Sequence, residues 1–246
     1  MQRPSATPAK GGHCTLQGME TAPDYWGSKA AEYDGLIRRV VPRYDEMIAR
    51  LLEALPLSPV GVLELGCGTG NLSLELARTL PAARFTFVDA APEMLEITRG
   101  RLLRWAPEVA ESAHFVAGHF EELQLDSPPG DLVIASLSLH HVADLEPVYR
   151  VISAWLRPGG AFRCVDGVRS AAKPLQSLNM QRWLAYWREP GNLGPDEIAS
   201  VADHVERHDH YRSIADHFQM LDRAGFVCPD CIWRDGLFAI LTAEVP

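Results

Sequence analysis

Gly66, Gly68 and Gly70 alternate with Cys67 and Thr69 directly after a short apolar run, Val60, Val62, Leu63 and Leu65, and just before a helical stretch from Leu72 to Leu80. A buried strand feeding a glycine turn and then a helix lets main chain lie against a nucleotide-like ligand. Glycine permits this because, lacking a Cβ, it takes positive φ and leaves space beside the backbone. Asp89 ends the next apolar run, 19 positions beyond Gly70. A carboxylate at that strand tip either accepts hydrogen bonds from both ribose hydroxyls or caps the helix opening at Asp89-Ala90-Ala91-Pro92. His140 and His141 leave the fourth strand at its carboxyl end, where the ligand crevice of an open α/β sheet forms. An imidazole there takes a proton from an acceptor hydroxyl, thiol or amine, or else caps or packs beneath the next helix. The sequence does not decide between the two histidines.

The spacing G-x-G-x-G is neither the G-x-G-x-x-G of dinucleotide folds nor a P-loop, since no Lys follows it. Glu64-Leu65-Gly66-Cys67-Gly68-Thr69-Gly70 resembles the first signature of class I S-adenosylmethionine-dependent methyltransferases, and Phe87-Val88-Asp89-Ala90-Ala91-Pro92-Glu93-Met94-Leu95 resembles the second. The resemblance runs over about residues 30 to 166 and again 218 to 243. It implies S-adenosylmethionine as methyl donor, with S-adenosylhomocysteine as product. Glu64, Gly66, Cys67, Gly68, Gly70 and Asn71 would form its cradle, Asp89 would hold the ribose, and Ala90 and Met94 would flank the adenine. Gly118-His119-Phe120-Glu121-Glu122-Leu123 corresponds to the family's Gly-Asp-Ala-Glu-Glu-Leu; here His119 replaces the acid, which leaves backbone contacts at His119 and stacking by Phe120. Ser136 and the segment Leu139-His140-His141-Val142 match a pattern of small-molecule members. Tyr33 and Tyr44 resemble the family's N-terminal helix tyrosines, which close over the amino-acid end of the donor. Leu156-Arg157-Pro158-Gly159-Gly160 completes the match as a structural turn.

These residues need a scaffold, and the chain alternates strand and helix as a parallel sheet with right-handed crossovers requires. The expected fold is α/β and doubly wound. Its seven-stranded, mostly parallel sheet ends in an antiparallel C-terminal hairpin, turned at Asp235-Gly236. Residues 1–22 read as a disordered leader, rich in Pro, Gly, Thr and Ala. Residues 23–57 read as an N-terminal helical layer and 58–169 as the donor-binding core. A helical substrate cap follows over 170–224, inserted after the fifth strand, and 225–246 form the strand pair that completes the sheet. Expected strands are 84–88, 114–117, 131–136, 161–166, 226–233 and 237–243.

The cap carries an aromatic face, with Trp183 and Trp187 at i, i+4. Trp26, Trp183, Trp187, His208 and Tyr211 are the expected acceptor contacts, although core packing explains the tryptophans equally well. His204 and His208 also share a helix face. A zinc pair is conceivable there, but no Glu-rich or cysteine partner stands nearby in sequence, so no metal is expected. Cys228-Pro229-Asp230-Cys231 is a lone CxxC and reads as a strand entry.

With 246 residues, a net charge of −9 and 47% hydrophobic content, the chain fits a globular α/β domain with an appended element. The acidic balance argues against gripping nucleic-acid backbone. No apolar run approaches the length of a membrane span, and five scattered cysteines fit a reducing compartment, so a cytoplasmic enzyme with a small-molecule acceptor is expected. A methyltransferase acting on tRNA or protein, a nicotinamide-dependent oxidoreductase and a non-catalytic binding protein are the competing readings. Oligomeric state is not legible.

Overall fold

The computed structural model describes residues 21, 25, 27, 30, 32–123 and 130–246. The expected leader, apart from Thr21, and Trp26 lie outside them.

Two N-terminal helices, α1 (Tyr33–Val40) and α2 (Tyr44–Glu53), precede the sheet. The chain then alternates through β1 (Gly61–Leu65), α3 (Asn71–Thr79), β2 (Arg84–Asp89), α4 (Pro92–Trp105), the short α5 (Pro107–Ser112) and β3 (His114–Ala117). It continues through β4 (Gly130–Ser136), a 3-10 turn at Leu139–His141, α6 (Leu145–Trp155) and β5 (Leu156–Arg169). Helices α7 (Lys173–Arg188) and α8 (Pro195–His208) follow, then β6 (Arg212–Ser213), α9 (Ile214–Arg223), β7 (Val227–Asp235) and β8 (Phe238–Glu244).

The sheet order is β3-β2-β1-β4-β5-β8-β7. The first five strands are parallel, β8 runs antiparallel to β5, and β7 pairs antiparallel with β8. This is the doubly wound sheet with its closing hairpin. One element was not legible: β6 adds a two-residue parallel pairing to the end of β5, making eight strands. Gly236, with φ of 55°, turns the hairpin as expected. The Arg157–Gly160 turn is absorbed into β5 as a wide bulge, since Leu156 pairs with Gly130 while Ala161 already pairs with Leu132.

Both faces of the parallel strands are apolar, which is why they read as continuous hydrophobic runs. Val62, Phe85, Phe87, Leu132 and Ile134 feed one core with α1 to α5, α7 and α8; Leu63, Leu65, Val88, Val133 and Ala135 feed the other with α6 and α9. The alternation along each strand therefore separates two layers of helices and fixes the register: a one-residue slip would exchange the two cores.

Candidate active site

The turn after β1 is built for close approach. Gly66, Gly68 and Gly70 all have positive φ, at 70°, 55° and 84°. A Cβ on Gly66 would stand 2.3 Å from Ser138 Cβ, and one on Gly70 would stand 2.9 Å from Thr98 Oγ1. A Cβ on Gly68 would meet nothing within 4 Å. Gly66 and Gly70 are thus held against protein, while Gly68 faces open space.

That space is a cavity of about 480 Å3, within the range of small-molecule sites. Asp89 stands at its wall, at the tip of β2. Its Oδ2 accepts from the Gly68 amide at 2.8 Å and its Oδ1 from the Ala91 amide at 2.9 Å. Asp89 thus tethers the helix entry and the glycine turn while lining the cavity. Burial raises its pKa, against the opposing effect of the backbone amides. Tyr33, Ala90, Met94, His119, Phe120 and Ser136 line the same cavity, as do Gly66 and Gly68.

Other residues of the expected cradle stand behind it. Glu64 is 1% exposed and accepts from Ser73 Oγ at 2.7 Å, directed into α3 and away from the cavity. Cys67 belongs to the hydrophobic core. The Gly118 amide donates to the Asp89 carbonyl oxygen at 3.0 Å and holds β3 beside β2. Asn71 joins Thr69 in donating to Asp34 Oδ1, at 2.9 and 2.5 Å. Tyr44 packs beneath the Arg38 guanidinium, 5.1 Å from its ring centroid, and does not line the cavity. Asp34 and Arg101 were missed. Asp34 follows Tyr33 in sequence and had a signal, whereas Arg101 had none.

Leu137, with φ of 53°, turns the chain sharply after β4. The 3-10 turn then presents His140 and His141 to the cavity. His140 Nδ1 is paired with Asp166 Oδ1, on β5. His141 Nδ1 lies 3.2 Å from Asp209 Oδ1, and His140 Nε2 and His204 Nε2 each lie 3.7 Å from that same oxygen. Tyr211 donates to Asp209 Oδ2 at 2.6 Å. Gly167 makes room for this tyrosine, since a Cβ there would come 2.4 Å from the Tyr211 ring. Burial opposes a charged His140 ring, but the Asp166 and Asp209 carboxylates outweigh it and bring its pKa up to about 9. Burial, with the charge of His140, lowers that of His141. Asp166 and Asp209 were not chosen from sequence. Asp166 ends an expected strand, and Asp209 lies within the titratable run 208–211, so each had a local signal but no visible partner.

Of the expected acceptor contacts, Trp183, His208 and Tyr211 line the cavity. Trp187 does not: it is 1% exposed, and its indole donates to the Val40 carbonyl oxygen at 3.1 Å, beside that of Trp183 at 2.7 Å. The core-packing alternative describes Trp187, because the i, i+4 pair fastens α7 to the end of α1. Cys228 and Cys231 lie on β7, where a lone CxxC was read as strand entry.

Residues 63–162, from the middle of β1 into β5, match the methyltransferase-domain family. That match and the similar solved structures are those of class I S-adenosylmethionine-dependent methyltransferases. It is 26% identical over 87% of its length to the carboxy-S-adenosyl-L-methionine synthase of Wolinella succinogenes, covering 90% of that protein. It is 40% identical over 47% of its length to the biotin biosynthesis bifunctional protein BioCD of Bordetella avium, of which it spans only 23%. An O-methyltransferase family protein from Burkholderia thailandensis shares the fold, with a TM-score of 0.68 and 14% identity over 92% of this chain and 63% of that one. The chain thus spans less than two thirds of several relatives.

Proposed function

We propose that this chain transfers a methyl group from S-adenosylmethionine to a small-molecule acceptor. One observation carries the reading: a single cavity is lined both by Gly68 and Asp89 and by His140, His141 and Asp209. Donor and acceptor would then face each other without a second binding surface.

The residues present fit the donor. Gly68 leaves open the volume that a Cβ would occupy, so main chain can lie against a nucleoside. Each Asp89 oxygen accepts one backbone amide and keeps a lone pair for a ribose hydroxyl. The donor supplies an activated methyl group on a positively charged sulfur. The chain contributes mainly position, an effect worth at most about 7–11 kcal/mol. His141, held neutral by burial and by the charge of His140, would take the acceptor's proton, which adds on the order of 10²–10⁴-fold. Trp183 and Phe238 give the cavity an apolar wall.

The partly enclosed cavity and the net charge of −9 favour a small acceptor over a nucleic acid. The names of relatives point the same way, for example the ubiquinone biosynthesis O-methyltransferase of Methylobacterium. Among the described residues no helix is long and apolar enough to cross a membrane. Cys67, Cys164, Cys228 and Cys231 are free, which supports a reducing, cytoplasmic setting. The test is calorimetry with S-adenosylmethionine on the parent and on Asp89→Ala. Saturable binding that the substitution abolishes is expected, and unchanged affinity in the variant removes the assignment.

A further inference from the structure

We propose that His140, His141 and Asp209 bind a divalent first-row transition-metal ion, of the zinc and cobalt class, at the acceptor end of the cavity. In the sequence the conceivable zinc pair is His204 and His208, on one helix face, and no metal is expected. Folding assembles a different set from two distant segments.

Geometry is the first argument. One ligand atom from each of the three residues lies within 4.8 Å of the other two. His141 Nδ1 is 3.2 Å from Asp209 Oδ1, and His140 Nε2 is 3.7 Å from it. A tetrahedral ion with bonds of roughly 2.0–2.1 Å needs ligand atoms about 3.3 Å apart. A separation of 3.7 Å is too long for a hydrogen bond but close to that edge length.

The surroundings are the second argument. Metal-bound histidines generally give their other ring nitrogen to a carboxylate, and metal-bound carboxylates are themselves hydrogen-bonded. Here His140 Nδ1 is engaged by Asp166, a residue 1% exposed, which leaves Nε2 turned toward Asp209. The free edge of Asp209 is occupied by the Tyr211 hydroxyl at 2.6 Å. The two segments are also tied directly, since the His210 amide donates to the His140 carbonyl oxygen at 2.7 Å.

Charge and donor type are the third. Asp166 and Asp209 bring two carboxylates into one buried cluster, which a divalent cation offsets. Two imidazoles and one carboxylate suit first-row transition ions, whereas magnesium and calcium take oxygen ligands almost throughout. All three residues line the cavity, so the ion's remaining position opens onto it, as in sites that act on a bound molecule. An ion there would take the place of His141 in activating the acceptor: it would coordinate an acceptor oxygen or sulfur and lower its pKa, so that its proton passes to water. Only this last role rests on the methyl-transfer reading; the site itself does not.

The test uses full-length, tag-free protein stripped with a chelator and titrated with Zn2+ and with Co2+ by calorimetry. The visible absorption of the Co2+ form is recorded alongside. One ion per chain is expected. Asp209→Asn and His141→Ala should each weaken binding at least tenfold, and Asp166→Asn by about 10–100-fold. His114→Ala, on the exposed start of β3, should bind as the parent does, and circular dichroism confirms that each variant is folded. The proposal is overturned if both ions bind the parent no tighter than the His141→Ala/Asp209→Asn double variant, or if Mg2+ binds as tightly as Zn2+. S-adenosylmethionine binding measured in parallel separates the two readings. Donor binding without metal uptake leaves methyl transfer standing, and metal uptake without donor binding leaves only the metal site.

Discussion

Arg101 reaches from α4 to Asp34 on α1, with Nη1 2.8 Å from Asp34 Oδ2 and 2.9 Å from the Thr69 carbonyl oxygen. Asp34 Oδ1 meanwhile accepts from Thr69 Oγ1 and Asn71 Nδ2. The helix that roofs one side of the cavity is therefore latched to the glycine turn by polar contacts. Both charged partners are partly exposed, so the latch adds little to overall stability.

Asp34→Ala should accordingly separate binding from folding. Donor affinity is expected to fall about tenfold, roughly 1.4 kcal/mol, while the melting temperature stays close to that of the parent. Calorimetry and thermal denaturation on the same preparation read both quantities. Equal affinity in parent and variant would show that α1 does not help to close the donor site.

Gly66 and Gly68 differ in what a methyl group would meet, and their alanine variants should fail differently. Gly66→Ala sets a Cβ against Ser138 at positive φ, at a cost of about 1–3 kcal/mol, seen as a lowered melting temperature. Ser138→Gly in the same chain should restore part of that loss. Gly68→Ala puts its methyl into the cavity, so donor binding should suffer more than stability. If Gly66→Ala melts with the parent, the close approach is not what selects glycine there.

Glu64 gives the fold a pH dependence of known sign. Burial first, and then the charge of Asp89, push its pKa from 4.5 up to about 8, against the Ser73 hydrogen bond. Between those values the folded protein keeps a proton that the unfolded chain has released. Stability contributed by Glu64 is thus full below the unfolded value and declines as pH rises toward about 8, by at most roughly 5 kcal/mol. Glu64→Gln has no proton to lose and should flatten the profile, as urea denaturation near pH 5 and near pH 8 would reveal. Parallel profiles for parent and variant would defeat this account.

The parallel core was legible because its strands are apolar on both faces and each is followed by a helix signal, and the glycine turn and Asp89 lie within one local pattern. What escaped was contact between segments far apart in sequence. Asp209 carries no mark that it will meet His140 and His141, and Asp34 none that Arg101 will reach it. Trp183 and Trp187 show the converse: their spacing fixed a shared helix face, but only packing against Val40 decided that one borders the cavity and the other is core. The two-residue β6 was too short to leave a periodicity, and its pairing with the end of β5 is a tertiary choice.

The glycine turn hangs from β1 and the histidine turn from its neighbour β4, and these strands are zipped residue for residue from Val62 with Leu132 to Leu65 with Ala135. The spacing of the two half-sites is therefore set by the ladder of main-chain bonds in the floor, while α7 and α8 only overhang it. Exchanging that overhang for a relative's would leave the two jaws aligned.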